Sequence, residues 1–330
     1  MSLKPRIGFA GVGWIGRNRL AAIAREHQAE IVGIFDPSAA AARGATEHAP
    51  QAVTSDRYDE LLDMRLDGIV IATPSGLHAE QTEAALRAGC SVFCQKPLAR
   101  TASEAARVIE TARVRDRLLN VDFCYRCVAG VPEIRELVRT GELGDLYAVD
   151  LVFHNAYGPD KPWFYDLQQS GGGCVMDLGI HLLDLLLWVL DYPAVRSVTS
   201  RLRADGKLLR TPLRELEDHA YAELELDTGV SARIACSWNL PAGCDAVIEA
   251  VFYGTHGSAS LRNVGGSFYE FVAQHCTGTT ARRIAAGDTA WGGRPACNWV
   301  RQLSTDRHFR SEATRLHEVQ LLVDRIYGRA

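Results

Sequence analysis

The 330-residue sequence predicts an α/β fold in two parts: an N-terminal doubly wound parallel sheet, then an α+β domain on a largely antiparallel, open sheet. Three observations predict it. Over roughly the first 120 residues, short apolar runs alternate with helix-period stretches, the grammar of strand–helix–strand units in a parallel sheet. A glycine-rich turn, Gly11-Val12-Gly13-Trp14-Ile15-Gly16, falls between the first strand and the first helix. Beyond about residue 123 the period changes to two, and tight turns join the strands. The boundary is therefore placed at 122/123, giving domains 1–122 and 123–330.

Taken in order, Arg6–Ala10 reads as a strand, Trp14–Glu26 as a helix and Glu30–Phe35 as a strand. The continuous apolar run 67–72 suits a parallel strand buried on both faces. A helix over 78–88 stops at Gly89. Strand 90–94, a helix over 102–115 and strand 118–122 complete the first domain. In the second, His219–Leu226 places Ala220, Ala222, Leu224 and Leu226 on one face and Tyr221, Glu223 and Glu225 on the other. Asp227-Thr228-Gly229 turns the chain, and 230–238 resumes the alternation. A second hairpin pairs 245–252 with 258–261. A C-terminal helix presents Leu316, Val319, Val323 and Ile326 on one face.

Composition narrows the function. With 47% hydrophobic and 23% charged residues, the chain has the make-up of a soluble globular protein. A net charge of −4 gives no reason to expect nucleic acid or an anionic membrane as partner. The longest apolar run, near 185–190, is too short to span a bilayer. The N-terminus leads straight into a strand with no signal-peptide apolar region, so a cytoplasmic enzyme is expected. Nine cysteines without framework spacing argue against a disulfide scaffold, and Cys124-Tyr125-Arg126-Cys127 lacks the second pair a zinc site needs.

The glycine turn carries the first functional expectation. Gly11 permits the tight turn, Gly13 lets the backbone approach a pyrophosphate, and Gly16 allows close helix–strand packing. The amides of Trp14, Ile15 and Gly16 then face the phosphates. Asp36 ends the second strand, twenty residues after Gly16, where a carboxylate accepts from the adenosine ribose hydroxyls and repels a 2′-phosphate. NAD is expected rather than NADP. Thr73, Pro74, His78 and Lys96 are further candidates for lining the cofactor.

A second feature is the stretch from Gly171 to Trp188, apolar on nearly all sides yet carrying Asp177, His181 and Asp184. At about 100° per residue these three fall within roughly 60° of one another, on one stripe of a helix. Buried ionisable groups are costly unless paired or used, so chemistry is expected there. The run Gly171-Gly172-Gly173 is expected to let the preceding loop approach a ligand. Asp184 reads as structural support, and no convergent metal-ligand set is evident.

With these residues in view, the chain resembles the Gfo/Idh/MocA family (glucose-fructose oxidoreductase and inositol dehydrogenase). The resemblance rests on the glycine turn, Ala72-Thr73-Pro74-Ser75-Gly76-Leu77-His78, Ala88-Gly89 through Gln95-Lys96-Pro97-Leu98, and Gly171-Gly172-Gly173 through Asp177 and His181, in order and over most of the chain. It implies a Rossmann domain followed by a sheet domain that binds substrate and supports a homo-oligomer, a dimer or tetramer. It implies a catalytic Lys at Lys96, with Asp177 and His181 beside it in the reaction. The departure is Gln95, where the family usually has Glu.

The chemistry is consistent on its own terms. Oxidising a secondary alcohol by hydride transfer requires a base for the hydroxyl proton, a task for His181, with Lys96 polarising the oxygen and Asp177 orienting the imidazole. Tyr125, Asn155 and Trp163 join Lys96, Asp177 and His181 as candidate contacts to a sugar or cyclic polyol, since such ligands pair apolar ring faces with hydroxyls. An NAD-dependent glycoside hydrolase and a non-catalytic NAD-binding regulator are the alternatives.

Overall fold

The computed structural model describes residues 4–329. They group by their contacts into two units. The first is the chain up to Cys124 together with Gly292–Glu318; the second is Tyr125–Trp291 together with the chain from Val319 on.

In the first unit, strands β1 (Arg6–Ala10), β2 (Glu30–Phe35), β3 (Val53–Ser55), β4 (Gly68–Ile71), β5 (Ser91–Cys94) and β6 (Leu119–Val121) form one parallel sheet. Their order is β3-β2-β1-β4-β5-β6. Helices α1 (Trp14–Glu26), α2 (Ala39–Ala45), α3 (Tyr58–Leu62), α4 (Ser75–Arg87) and α5 (Ala102–Arg115) make the connections. Every residue of β4 and β5 is buried, which accounts for their uninterrupted apolar sequence. The strand order reverses between β1 and β4, and ligands of open α/β sheets bind beyond the strand C-termini at such a switch point. Topology alone thus singles out the turns after Ala10 and Ile71.

The second unit contains α6 (Val131–Arg139), α7 (Leu167–Ser170) and α8 (Ile180–Val189). Its strands are β7 (Leu146–Asn155), β8 (Val195–Ala204), β9 (Lys207–Leu208), β10 (His219–Leu226), β11 (Ser231–Ser237), β12 (Ala246–Gly254), β13 (Ser258–Asn263), β14 (Phe271–Thr277) and β15 (Thr280–Ala286). They form one sheet in the order β15-β14-β13-β12-β7-β11-β10-β8-β9, antiparallel at every step except β7–β11. The alternation read in β10 is present: Ala220, Ala222, Leu224 and Leu226 are buried. On the same face of the neighbouring strand, the Cys236 sulfur meets that of Cys174 at 3.8 Å.

Two helices close the chain, α9 (Arg294–Thr305) and α10 (Arg315–Ile326). The first belongs to the parallel-sheet unit, where Trp299, Val300 and Leu303 enter the core and the Trp299 and Phe93 rings lie 5.8 Å apart. The helical stretch Leu167–Val189 is longer than its apolar run suggests, because α7 and a π-helical turn lead into α8. By length and composition it could cross a membrane, yet 89% of its most apolar window is buried inside the fold, as in a core helix.

Candidate active site

The first group of candidate residues gathers at the switch point. Gly11 has φ of +84°, and a Cβ there would stand 2.6 Å from the Ala72 backbone. A Cβ at Gly16 would come within 2.1 Å of the Gly11 carbonyl oxygen. Gly13 differs: nothing lies within 4 Å of its would-be Cβ, so its backbone is open to a ligand. No acidic side chain occupies the first turn of α1, and the amides of Trp14, Ile15 and Gly16 have no acceptor within the helix. Such a terminus suits a pyrophosphate. Asp36 holds the same turn, accepting the Val12 N–H at 2.9 Å and the Ser38 N–H at 2.8 Å, one on each oxygen. Each oxygen keeps a second lone pair, so the carboxylate can fix the turn and still accept from ribose hydroxyls. The residues present therefore fit a dinucleotide.

His78 does not join this surface. It is buried, with Nδ1 2.6 Å from the Pro97 carbonyl and Nε2 2.7 Å from the Thr73 carbonyl. Neither ring nitrogen is left for a cofactor, so the expected contact gives way to a strut joining the 73–74 and 96–97 turns. Burial holds its pKa below the ordinary imidazole range, Lys96 adds to that, and the two carbonyls act in the opposite direction. Thr73 also spends its hydroxyl internally, on Gln81 at 2.6 Å.

Lys96 follows β5 and is half-buried; its bond to Pro97 is cis. Its N–H donates to Gln95 Oε1 at 2.9 Å, and Gln95 Nε2 donates to Asp122 Oδ2, also at 2.9 Å. The same Asp122 oxygen accepts from Arg19 Nε at 2.6 Å. Burial opposes the guanidinium charge, but Asp122 and Cys124 together outweigh it and raise the Arg19 pKa.

In the second unit, Asp177 lies in the π-helical turn Val175–Gly179, and His181 in the first turn of α8. The wider π period breaks the uniform spacing that would align three residues on one stripe, and the two carboxylates take different partners. Asp177 Oδ2 accepts from Trp238 Nε1 at 3.1 Å. Asp184 accepts from Arg126 Nε at 2.9 Å and from its Nη2, and Arg126 also donates to the Tyr192 hydroxyl. His181 is only 6% exposed; its ring lies 4.9 Å from that of Tyr125, which also packs on Phe153 and Trp291. Trp163 stacks on Phe164 at 3.8 Å, and Phe164 meets Trp238 edge-on. The Asn155 amide oxygen is buried and has no hydrogen-bond partner among the described residues.

The glycine run serves the interior, against expectation. A Cβ at Gly172 would stand 2.1 Å from the Tyr327 hydroxyl, and one at Gly173 would stand 1.9 Å from the Glu217 carbonyl oxygen. The glycines thus admit Glu217 and Tyr327 rather than a ligand. The fully buried Glu217 carboxylate accepts from Gly173 N (3.0 Å), Val175 N (2.9 Å) and the Tyr327 hydroxyl (2.8 Å). Sequence reasoning missed this clamp because Glu217 sits in an acidic stretch that resembles surface. Among the described residues no group of three or more His, Cys, Asp or Glu side chains could hold a metal.

A parallel sheet of this order with a fingerprint turn at its switch point defines a dinucleotide-dependent enzyme, and comparison with known proteins agrees. Residues 5–123 match the description "Oxidoreductase family, NAD-binding Rossmann fold", and residues 131–260 match "GFO/IDH/MocA C-terminal domain". The 1,5-anhydro-D-fructose reductase of Ensifer adhaerens is 31% identical over 292 residues, 86% of this chain and 81% of that protein. The D-glucoside 3-dehydrogenase of Escherichia coli (strain K12) is 32% identical over 198 residues; the match spans 59% of this chain but little more than half, 56%, of that relative. In fold, the chain is similar to KijD10, a 3-ketoreductase from Actinomadura kijaniata solved with NADP and TDP-benzene (TM-score 0.84, 21% identity, 99% of this chain and 98% of that one). The chain belongs to the Gfo/Idh/MocA family of NAD(P)-dependent oxidoreductases.

Proposed function

We propose that this protein is a cytoplasmic dehydrogenase or reductase that uses NAD in preference to NADP on a secondary hydroxyl of a sugar, inositol-like polyol or sugar derivative. The observation that carries the cofactor reading is Asp36, a carboxylate tied to the glycine turn by the Val12 N–H and held locally by the Ser38 N–H. Gly11, Gly13, Trp14, Ile15, Gly16 and Asp36 would hold the dinucleotide, with Thr73 and Pro74 at its margin. When bound, the nicotinamide supplies the hydride acceptor or donor.

The chain's own residues do the rest. His181 takes the hydroxyl proton in oxidation and returns it in reduction. Lys96 holds the substrate oxygen and stabilises its developing negative charge. Asp177, itself tethered by Trp238, orients substrate and imidazole. Trp163 offers a ring face to the apolar side of a sugar, and Asn155 offers a buried amide oxygen to a hydroxyl. Tyr125, buried against His181, Phe153 and Trp291, backs the imidazole instead of facing the substrate as expected. The names of the two relatives, one a glucoside dehydrogenase and one an anhydrofructose reductase, support this substrate class. The sheet face opposite Cys236 and α8, with half-buried Val152, Ala235 and Val247, supports homo-oligomerisation as a dimer or tetramer.

A panel of sugars, inositols and nucleotide sugars, assayed for NAD and NADP reduction in parallel, tests the reading. Turnover with NAD is the expected result. Sugar release without net NADH would instead identify a hydrolase, and NAD binding without turnover across the panel a regulator. Asp36→Ala is expected to lower the ratio of kcat/KM with NAD to that with NADP by about ten-fold or more, the size of a relieved like-charge contact. An unchanged ratio would remove Asp36 from cofactor selection.

A further inference from the structure

Gln95 is where the lysine motif departs from the family resemblance, and its surroundings give that departure a chemical reason. Asp122 is fully buried, and its carboxylate can only accept hydrogen bonds. It faces Gln95 on one side, while the Lys96 N–H faces Gln95 on the other. These two neighbours together fix the amide: nitrogen toward Asp122, oxygen toward Lys96. Arg19 supplies the balancing charge through the same Asp122 oxygen, and the other oxygen, Oδ1, is buried with no hydrogen bond among the described residues. An ionised Glu at this position would offer Asp122 no donor and would set two carboxylates against each other.

We propose that Gln95 is a positioning residue for Lys96: its oxygen holds the Lys96 backbone N–H while its nitrogen is anchored on Asp122, whose charge Arg19 balances. The proposal rests on the reading of Lys96 as a residue of the reaction. The titratable groups around Gln95 are Arg19 of α1, Cys94 of β5, Asp122 and Cys124 beyond β6, His78 of α4 and Lys96 itself.

The test is Q95E, alone and with D122N. Two carboxylates in contact share a proton, so the pair's second ionisation moves upward. At the acid end of the pH profile, where the introduced carboxyl carries its proton, it donates to Asp122 and accepts from the Lys96 N–H, as the amide does, and kcat stays within about three-fold of wild type. As the pH rises and the second proton is lost, kcat falls on the order of ten-fold to 10²-fold relative to wild type, the size of a displaced reacting group. Q95E/D122N should flatten that loss, because the amide brought in by D122N can donate to the introduced carboxylate. A Q95E-to-wild-type ratio constant with pH, or a double variant no better than Q95E, overturns the proposal.

A second readout needs no substrate. The chain has four lysines, so the 13C-dimethyl-lysine NMR signal of Lys96 is assignable with the Lys96→Arg variant. In Q95E it should titrate with the shared proton of the carboxyl pair, and in wild type it should show no such step. Absence of that step overturns the positioning role even if turnover is never found, whereas its presence in a protein inert to every substrate would fault only the enzymatic reading.

Discussion

Replacing His181 by Ala, or Lys96 by Met, lowers kcat by about 10²–10⁴-fold, the contribution expected of a positioned proton-transfer group or oxygen-holding cation. The NAD dissociation constant should stay within about three-fold, because the glycine turn and Asp36, proposed above to hold the dinucleotide, are untouched. The two losses should differ in kind. His181 is almost fully buried against the Tyr125 ring, and what Ala removes is a base together with a filled space. Added imidazole should therefore restore part of the His181→Ala rate, and His181→Gln, which fills more of the space, should not exceed it. Methionine keeps the length of the half-buried Lys96 stem, so the loss in Lys96→Met isolates the charge. Near-wild-type turnover in both variants, measured on the same substrate, would end the assignment. Full activity in Lys96→Met alone would leave His181 as the proton carrier and move the oxygen-holding role elsewhere.

What could be read from the sequence was what local pattern encodes. The four buried residues of β4 are a continuous apolar run, and β10 shows its two faces as strict alternation, so both sheets were legible. The glycine turn was legible because Gly11 and Gly16 meet local backbone requirements, while Gly13 leaves the backbone open. The candidate residues on the apolar helix were legible as residue types, but their arrangement was not. Uniform helical spacing puts Asp177, His181 and Asp184 together, whereas a π turn and two unrelated partners, Trp238 and Arg126, set the carboxylates apart. Those partners lie 61 and 58 residues away in sequence, beyond any periodicity. His78 shows the same limit: its type suits a ligand, but only the fold shows carbonyls at both ring nitrogens. The return of α9 to the first unit was equally hidden, since an amphipathic helix does not announce which core it enters.

The clamp that the sequence conceals most fully, Glu217 with Tyr327, carries the largest expected effect on stability. Glu217→Ala strands the N–H groups of Gly173 and Val175 and the Tyr327 hydroxyl in a buried site. At about 1–3 kcal/mol for each unsatisfied donor, and allowing for incomplete additivity, the cost is about 3–5 kcal/mol. Tyr327→Phe takes the hydroxyl from Glu217 and the acceptor from the Met176 N–H, and costs about 1–3 kcal/mol. Thermal unfolding reads both as Tm losses of about 2–4 °C per kcal/mol for a unit of this size. Glu217→Gln separates charge from shape. Burial raises the Glu217 carboxyl above its ordinary range, while the N–H of Val175, the Tyr327 hydroxyl and the N–H of Gly173 draw it back. A carboxyl raised in the folded state contributes stability that is full below its unfolded pKa, about 4.3, and declines as pH rises through the folded value. The non-titrating glutamine escapes that decline, so the Tm advantage of wild type over Glu217→Gln should shrink as pH rises from about 4 toward neutrality. An advantage that grows with pH would mean that the three donors overcome burial and that the carboxylate is held in its charged form. In either case the π turn bearing Asp177 hangs from this carboxylate, so Glu217→Gln should lower kcat more than it changes the NAD dissociation constant.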